Sequence, residues 1–331
     1  MRLKALFIAA TLLAAPWAWA QTPIIIKFSH VVTNDTPKGK GALKFKELVE
    51  ARSMGRVVVE VYPNSSLYKD KEELEALQLG AVQILAPSMA KFGPLGAKEF
   101  ELFDLPFIFD NVQELHKVMD GAIGARLMKS LEPRGITGLA FWDNGFKQMS
   151  ANKALRKLED FKGLKMRIQS SKVLDAQMRA VGANPQILAF SEVYQALQTG
   201  VVDGSENTAS NMYTQRHHEV QKYVTESNHG YIGYAVITNK KFWEGLPADL
   251  RGILEKCMEE ATRSTNEHAE ADNQEAFRKI AESGKTQVVK LTPQERGEWK
   301  KAMVRAHKQV EERIGKDLIQ SVYKETGFKP E

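Results

Sequence analysis

A seven-residue segment of this chain recurs 120 positions later: residues 76–82 read Ala-Leu-Gln-Leu-Gly-Ala-Val, and residues 196–202 read Ala-Leu-Gln-Thr-Gly-Val-Val. Each copy predicts a helix that ends at glycine, the residue that best tolerates the left-handed conformation just past a helix. A strand and a polar turn follow, at Pro87-Ser88 in one copy and Glu206-Asn207 in the other. The repeat indicates two similar lobes, with Ser88 and Asn207 at comparable strand ends. Coincidence in so short a pattern is the alternative.

The wider pattern alternates short apolar runs with helical segments, which is typical of βα units and a mainly parallel sheet. Strands are predicted at 24–28, 57–62 and 83–86, with helices whose apolar positions are Ala42, Phe45, Leu48, Val49, Leu74 and Leu77. The same order restarts near residue 164, with a strand at 164–168, a helix carrying Leu174, Met178 and Val181, a helix capped by Ser191, and a strand at 201–202. The chain is therefore predicted to be an α/β protein.

The last third is predicted to be mostly helical. Residues 249 to about 281 carry a long amphipathic pattern, and Thr292, Pro293 and Glu295 have the arrangement of a capping box at the start of another helix. Because no low-complexity or Pro- and Ser-rich linker separates the lobes, we expect ordered crossovers that act as a hinge. The strand-like stretches 138–150 and 231–238 are the candidates.

The first 20 residues have the pattern of a secretory signal peptide. Arg2 and Lys4 precede an apolar run at 6–15, and Ala18-Trp19-Ala20 predicts cleavage before Gln21. That run is shorter than a membrane-spanning helix needs, although an uncleaved anchor or a buried helix is the alternative. Export to the periplasm is the predicted localisation.

The charge and cysteine content exclude some classes of protein. Loss of the two basic residues of the signal peptide lowers the formal net charge from +5 to +3, and acidic and basic residues are interleaved, so no nucleic-acid partner is expected. Cys257 is the only cysteine, so the chain cannot form an internal disulfide. Its neighbours repeat at helical spacing, which predicts that Cys257 packs as a small hydrophobic residue.

Sequence motifs of common enzymes are missing. The chain has no Gly-x-Ser-x-Gly elbow, no phosphate-binding glycine loop and no His-Glu-x-x-His. His217-His218-Glu219 is the densest cluster of possible metal ligands, but adjacent helical residues point about 100° apart and rarely hold one ion. We therefore predict a solvent-exposed helix face there, no bound metal, no cofactor and no catalytic activity.

Arg167 is the strongest candidate for ligand binding. Met166 and Ile168 alternate with it along the predicted strand, so Arg167 and Gln169 share one face near a strand end, where open α/β sheets bind ligands. A guanidinium can hold a carboxylate through two charge-assisted hydrogen bonds. At about 1.5–3 kcal/mol each, these bonds would supply much of a micromolar affinity of about −8 kcal/mol. A surface salt bridge is the alternative.

Other polar residues are weaker candidates. Lys147 lies in the first predicted hinge and could hold a second carboxylate, with a solvent-facing lysine as the alternative. Lys91, Lys38 and His30 follow or adjoin predicted turns.

Nine stretches in order give the chain a resemblance to a known family. They are Lys-Phe-Ser-His-Val-Val at 27–32 with Thr-Pro-Lys-Gly at 36–39, Val-Tyr-Pro-Asn-Ser-Ser-Leu at 61–67, Ala-Pro-Ser-Met-Ala-Lys-Phe at 86–92, Phe-Asp-Leu-Pro-Phe at 103–107, Asn-Gly-Phe-Lys-Gln at 144–148, Lys-Met-Arg-Ile-Gln at 165–169, Gly-Val-Val-Asp-Gly-Ser-Glu-Asn at 200–207, Glu-Ser-Asn-His at 226–229 and Ile-Thr-Asn at 237–239. Together they resemble the solute-binding proteins of tripartite ATP-independent periplasmic (TRAP) transporters, in the four-carbon dicarboxylate branch.

The resemblance implies a fold and a division of the chain. The fold is a two-lobe clamshell of the periplasmic-binding-protein type (type II-like), with discontinuous lobes joined by hinge strands and a long helix that spans both. The predicted division is a signal peptide at 1–20, lobe I at 21–144 plus 233–272, and lobe II at 145–232 plus 273–331.

The resemblance also implies ligand contacts and partners. Arg167 occupies the position of the family arginine that pairs with the substrate carboxylate, and Asn207 that of a residue supporting the ligand or that arginine. Lys147 stands where sialic-acid-type relatives carry a second arginine, which argues against an acyl-sugar ligand. Ser88, Lys91, Gln169, His30 and Lys38 complete the predicted pocket. A dicarboxylate ligand, the small and large membrane subunits of the transporter and a monomeric state are expected; another organic acid as ligand and contact with a sensor kinase remain open.

Overall fold

The computed structural model describes residues 22–330, and the predicted signal peptide lies outside them. It contains two β-sheets with helices around them. The strands are β1 Ile24–Ser29, β2 Val57–Tyr62, β3 Ile84–Leu85, β4 Ile136–Phe146, β5 Gln148–Ala151, β6 Lys165–Ile168, β7 Asn184–Ile187, β8 Gly204–Asn207, β9 Tyr223–Glu226, β10 Tyr231–Asn239 and β11 Gln287–Lys290. Within 22–330, no helix is both apolar enough and long enough to span a bilayer.

The helices lie between and around these strands. They are α1 Pro37–Arg52, α2 Glu73–Gln78, α3 Val112–Met119, α4 Ala122–Lys129, α5 Lys172–Ala180, α6 Val193–Gln198, α7 Ala209–Thr214, α8 Lys240–Glu244, α9 Ala248–Glu282, α10 Pro293–Met303, α11 Arg305–Gln309, α12 Glu311–Ile314 and α13 Lys316–Thr326. Short 3₁₀ turns connect several of them.

The first lobe is built on a five-stranded sheet with the order β2-β1-β3-β10-β4. Strands β1, β2 and β3 are parallel, whereas β10 runs antiparallel to both β3 and β4. Helix α1 begins at Pro37 after the Thr36 cap, whose hydroxyl accepts a hydrogen bond from the Gly39 amide at 3.2 Å. The predicted apolar positions of α1 are buried against this sheet, together with Cys257 of α9.

The second lobe is built on a six-stranded sheet with the order β11-β9-β5-β8-β6-β7. Strands β6, β7 and β8 are parallel, and β5 joins them through an antiparallel pairing with β8. Helices α5 and α10 cover this sheet with a core that includes Met166, Met178 and Trp299. The predicted capping box at the start of α10 is confirmed, since Thr292 and Glu295 bond reciprocally to each other's backbone amides.

The predicted repeat corresponds to the same local structure in both lobes. Helices α2 and α6 are each followed by a glycine with a left-handed backbone, Gly80 at φ 78° and Gly200 at φ 72°. Two details of the prediction are wrong. The strand in the second copy begins at Gly204 rather than at 201. Ser191 lies in a 3₁₀ turn before α6 instead of capping it, because Glu192 closes that turn onto the Ala189 amide at 3.1 Å.

Between β1 and β11, the chain passes from one sheet to the other at three places. Strand β4 of the first sheet continues into β5 of the second at Lys147, and the chain returns after β9 to β10 through residues 227–230. The Lys147 amide donates to the Gly230 carbonyl at 2.8 Å, so these two passages are bonded to each other. The third passage is α9, which packs on α1 and β4 near its start and on α7 and β11 farther along. The first crossing, at Lys147, lies inside the predicted hinge 138–150. The second crossing, at 227–230, lies just before the predicted hinge 231–238.

The C-terminal helices do not all pack on one lobe. Helix α10 covers α5 of the second lobe, but α12 and α13 contact residues 98–104 and α3 of the first. Ile314, Leu318 and Val322 belong to the same apolar cluster as Phe100 and Leu115. The predicted assignment of all of 273–331 to lobe II therefore differs from the packing, because the apolar faces of α12 and α13 are buried against the first lobe.

Candidate functional site

The strand ends of the two lobes face each other across a partly open cavity, whose empty volume of about 360 Å³ includes open solvent. Six of the eight predicted ligand-binding residues line it: Lys38, Ser88, Lys91, Arg167, Gln169 and Asn207. The cavity also contains residues that the sequence did not single out: Val31, Val32, Asp70, Glu73, Phe190, Asn211, Ile232 and Tyr234. Polar groups of both lobes thus converge on one small cavity between them.

Arg167 lies on β6, in register with Gln186 of β7 and Ser205 of β8, so the inner part of the second sheet fixes its backbone. Its side chain is 2% exposed. Nε and Nη2 donate to the Leu188 carbonyl at 3.1 and 2.9 Å. Nη1 makes no hydrogen bond within 22–330. Burial lowers the pKa of this guanidinium and Asp70 opposes that effect, but arginine stays charged in proteins. The result is an oriented cation with free donor capacity.

Lys91 and Asp70 form a buried ion pair on the wall of the first lobe. Burial tends to raise the pKa of Asp70, but Lys91 outweighs it and holds that pKa below its ordinary value. The same carboxylate accepts the backbone N–H of Phe190 at 3.3 Å from the opposite lobe. Asp70 therefore joins the two walls of the cavity.

Lys38 and Glu73 lie deeper in the first-lobe wall. Lys38 donates from Nζ to the Ala86 carbonyl at 2.9 Å, and its ammonium group lies 3.9 Å from the centre of the Tyr234 ring. Burial lowers the pKa of Lys38 to about 8, with Glu73 opposing the shift. Burial likewise raises the pKa of Glu73 to about 7, with Lys38 opposing.

Uncharged polar groups complete the cavity. The Asn207 Oδ1 atom accepts from the Thr208 amide and from Asn211 Nδ2, both at 2.9 Å, which leaves the Asn207 amide nitrogen free to donate. The Ser88 hydroxyl donates to Gln169 Oε1 across the cleft. The contact of Ser88 with Gln169 joins the two lobes across the cavity.

The prediction that Lys147 lines the ligand pocket is wrong. Lys147 is completely buried at the crossing between the lobes and donates to Glu206 Oε1 at 2.7 Å. The other oxygen of Glu206 accepts from Gln177 and contacts the His229 ring nitrogen, both at 2.9 Å. Lys147 lies outside the cavity lining. Because Glu206 neutralises its charge, it also has no free charge for a ligand.

Two histidine predictions are also corrected. His30 lies behind Lys38, outside the cavity lining, and burial together with the nearby Lys38 lowers its pKa to about 3. His217 and His218 are buried rather than solvent-exposed, because the 3₁₀ turn that carries them packs inward, with the His217 ring 5.8 Å from that of Phe190. Among residues 22–330, no cluster of three or more potential ligands could hold a metal ion.

The internal repeat could have located part of what the sequence reasoning missed. Asn211 lies 120 positions after Lys91, and Phe190 lies 120 positions after Asp70; all four line the cavity. Ser88 and Thr208, separated by the same offset, both cap short helical segments. Applying the offset to Lys91 would have predicted Asn211. Glu73 had no such indication, because its partner position, Val193, is apolar.

Two α/β lobes that close over a polar cavity, joined by crossing strands and a shared helix, define a solute-binding protein of the clamshell class. The chain belongs to the bacterial extracellular solute-binding protein family 7, whose sequence pattern matches residues 28–313. It is 62% identical over 300 residues to the C4-dicarboxylate-binding periplasmic protein DctP of Rhodobacter capsulatus, which covers 91% of this chain and 90% of the relative.

Solved structures have the same fold. A TRAP periplasmic solute-binding protein from Shewanella oneidensis with bound succinate superposes with a TM-score of 0.90 at 44% identity, over 92% of this chain and all of that one. Another from Pseudomonas aeruginosa with bound L-malate gives a TM-score of 0.85 at 46% identity, over 87% of this chain and all of that one. The predicted family and fold class are confirmed, and the chain is a binding protein of transport rather than an enzyme.

Proposed function

We propose that this chain captures a four-carbon dicarboxylate such as succinate, fumarate or malate in the periplasm. It then delivers the ligand to the small and large membrane subunits of a TRAP transporter. One observation carries the proposal: a closed cavity with three buried cations, Lys38, Lys91 and Arg167. The ligands of the similar proteins described above support the same class of substrate.

Each wall of the cavity has a part in holding the ligand. Arg167 receives one carboxylate, because its unused Nη1 donor and the second hydrogen of Nη2 form the planar fork that suits two carboxylate oxygens. Lys38, which is held by the neutral Ala86 carbonyl, attracts the other carboxylate from the opposite lobe, and Lys91 lies beside it paired with Asp70. Asn207 and Gln169 add neutral donors, which fix orientation without adding charge.

Closure of the lobes follows from this division of contacts. The ligand meets both walls only when they face each other, so it binds the closed state more tightly and shifts the population towards it. The cross-cleft contacts of Ser88 with Gln169 and of Asp70 with Phe190 stabilise the same state. The closed surface is then what the membrane subunits recognise.

A thermal-shift screen of the mature protein tests the ligand class. A compound that binds only the folded state raises Tm by an amount set by its concentration relative to Kd. We expect succinate, fumarate and malate to raise Tm, and amino acids to leave it unchanged. A shift with a sugar acid or an aromatic carboxylate, and none with the diacids, would contradict the dicarboxylate assignment and favour another organic acid in the same cavity.

A further inference from the structure

Glu73 is a buried carboxyl group in the cavity wall to which no group of residues 22–330 donates a hydrogen bond. It is the first residue of α2 and is 2% exposed. Within residues 22–330, no donor forms a hydrogen bond to its carboxyl oxygens. The other acid of the cavity, Asp70, is by contrast fully engaged by Lys91 and by the Phe190 amide. Glu73 is thus the one acid in this wall whose oxygens are left for the ligand.

The charged groups around Glu73 come from three segments. Lys38 faces it from α1, Asp70 from the segment before α2, and Lys91 from the turn at 89–91. Arg167 faces Asp70 from the second lobe, and His30 lies behind Lys38 in its neutral form. With every acid and base ionised, the cavity holds three positive charges and two negative ones, and its net charge is +1.

A four-carbon dicarboxylate carries two negative charges near neutral pH. A closed, poorly hydrated cavity of net charge +1 would therefore keep one negative charge uncompensated, which is costly. If Glu73 is neutral, the cavity charge becomes +2 and balances the ligand. A neutral carboxyl is also a hydrogen-bond donor, whereas an ionised one would repel a ligand carboxylate.

Resting on the proposed function, we propose that Glu73 takes up one proton from solvent as the dicarboxylate binds and donates a hydrogen bond to a ligand carboxylate. Glu73 is then a specificity-determining residue for diacids, and binding consumes a proton. Burial already raises the pKa of this carboxyl to about 7 in the absence of ligand, so a small further rise in that pKa is enough to protonate it.

Two measurements on the mature protein test this inference. The first is calorimetric titration with succinate between about pH 6 and pH 8.5, in buffers of different ionisation enthalpy. We expect the uptake of close to one proton near pH 8, and an affinity that falls by up to about tenfold per pH unit above the pKa of Glu73. Lys38, with a pKa of about 8, also gains protons in this range, so a second measurement must identify the group.

The second measurement is the infrared difference spectrum of succinate binding. A protonated carboxyl has its own C=O stretching band, and ¹³C-carboxyl succinate moves that band only if the proton sits on the ligand. We expect a band that does not move with the labelled ligand, disappears in Glu73→Gln, and shifts but persists in Glu73→Asp. Glu73→Gln, a neutral mimic, should still bind succinate. Asp104→Asn is the matched control, because Asp104 is a buried carboxyl outside the cavity lining whose pKa burial raises to about 7.

The outcomes separate this inference from the proposed function. If no dicarboxylate binds the wild-type protein, both are overturned. If succinate binds without a carboxyl band, or with a band that moves with the label or is lost in Asp104→Asn, only the role of Glu73 is overturned. If Glu73→Gln does not fold, the label-insensitive band of the wild-type protein and its shift in Glu73→Asp still decide the matter.

Discussion

The cavity and the crossing between the lobes both bury a basic side chain almost completely, yet they use it in opposite ways. At the crossing, Lys147 is neutralised by Glu206, which also bonds to Gln177 and His229. In the cavity, Arg167 is held by a single neutral carbonyl, that of Leu188. A buried cation with a dedicated carboxylate is part of the structure, whereas a buried cation held by a dipole keeps its charge for a ligand.

The pKa values at the crossing express this difference. Burial alone raises the pKa of Glu206, but Lys147 and His229 outweigh it and hold that pKa well below its ordinary value. Its depressed pKa contributes stability that is fully present above the unfolded value near 4.5 and is lost as pH falls below it. The contribution of Glu206 should therefore be fully present at neutral pH and weaken in acid.

The largest expected effect is on the crossing. Lys147→Met leaves the buried carboxylate of Glu206 without its cation, and we expect the free energy of unfolding to fall by about 3–5 kcal/mol, measured by urea denaturation. The double variant Lys147→Met/Glu206→Gln should recover much of that loss, because no uncompensated charge remains. A loss of less than about 1 kcal/mol in the single variant would remove the distinction between the two regions.

The next effect concerns ligand affinity. Arg167→Ala should weaken succinate binding by tenfold or more, since each lost charge-assisted hydrogen bond is worth about 1.5–3 kcal/mol, while the variant still folds cooperatively. Calorimetric titration gives the Kd. Arg179→Ala is the matched control: its side chain is 62% exposed on α5 of the same lobe and, within residues 22–330, pairs with Asp175 alone. Wild-type affinity in a folded Arg167→Ala variant would refute the role of the arginine.

A smaller loss of affinity is expected at Asn207. Its free amide nitrogen is one neutral donor among several, and a neutral hydrogen bond contributes about 1 kcal/mol. Asn207→Ala should therefore raise the Kd for succinate about fivefold, without the collapse expected at Arg167. If Asn207 acts instead by positioning the arginine, Asn207→Ala should weaken binding as much as Arg167→Ala does. The two losses should then not add in a double-mutant cycle.

The smallest effect is that of an ion pair between a partly exposed histidine and a buried aspartate. His116 of α3 contacts Asp143 at 2.7 Å, and this hydrogen bond, opposed by partial burial, raises the pKa of the imidazole. Because the folded pKa is raised, the stabilisation is fully present below about pH 6.5 and is lost as pH rises through the folded pKa. The stability difference between wild type and His116→Gln should be under about 1 kcal/mol at pH 5 and smaller at pH 8. A pH-independent difference would contradict the ion pair.

The sequence predicted the elements of the fold better than their partners. Apolar spacing located β2 and α9 almost to the residue and the buried positions of α1, because burial of one face repeats with the period of the element. It misplaced the start of β8, and the division implied by the family resemblance placed α12 and α13 in the second lobe, whereas they pack on the first. Those errors have one source: the packing face of an element is visible in its own residues, but the element that covers it is not.

The candidate site shows the same limit. Strand alternation placed Arg167 and Gln169 on one face, and both line the cavity. The local sequence of Lys147 looks equally suited to a carboxylate, but its partner Glu206 is 59 residues away and reaches it only through the pairing of β5 with β8. Nothing near Lys147 in the chain predicts that pairing.

Periodicity and motifs are local properties of the residues, so the amino-acid sequence was enough to predict two α/β lobes, a family resemblance and one well-placed arginine. Which buried charges are free for a ligand becomes visible in the folded chain alone. In the folded chain Lys147 pairs with Glu206, Asp70 accepts a hydrogen bond from the Phe190 amide, and Glu73 lines the cavity. The physical reason is that the free energy of a buried charge depends on every group within a few ångströms of it. In a folded chain those groups come from segments far apart in sequence.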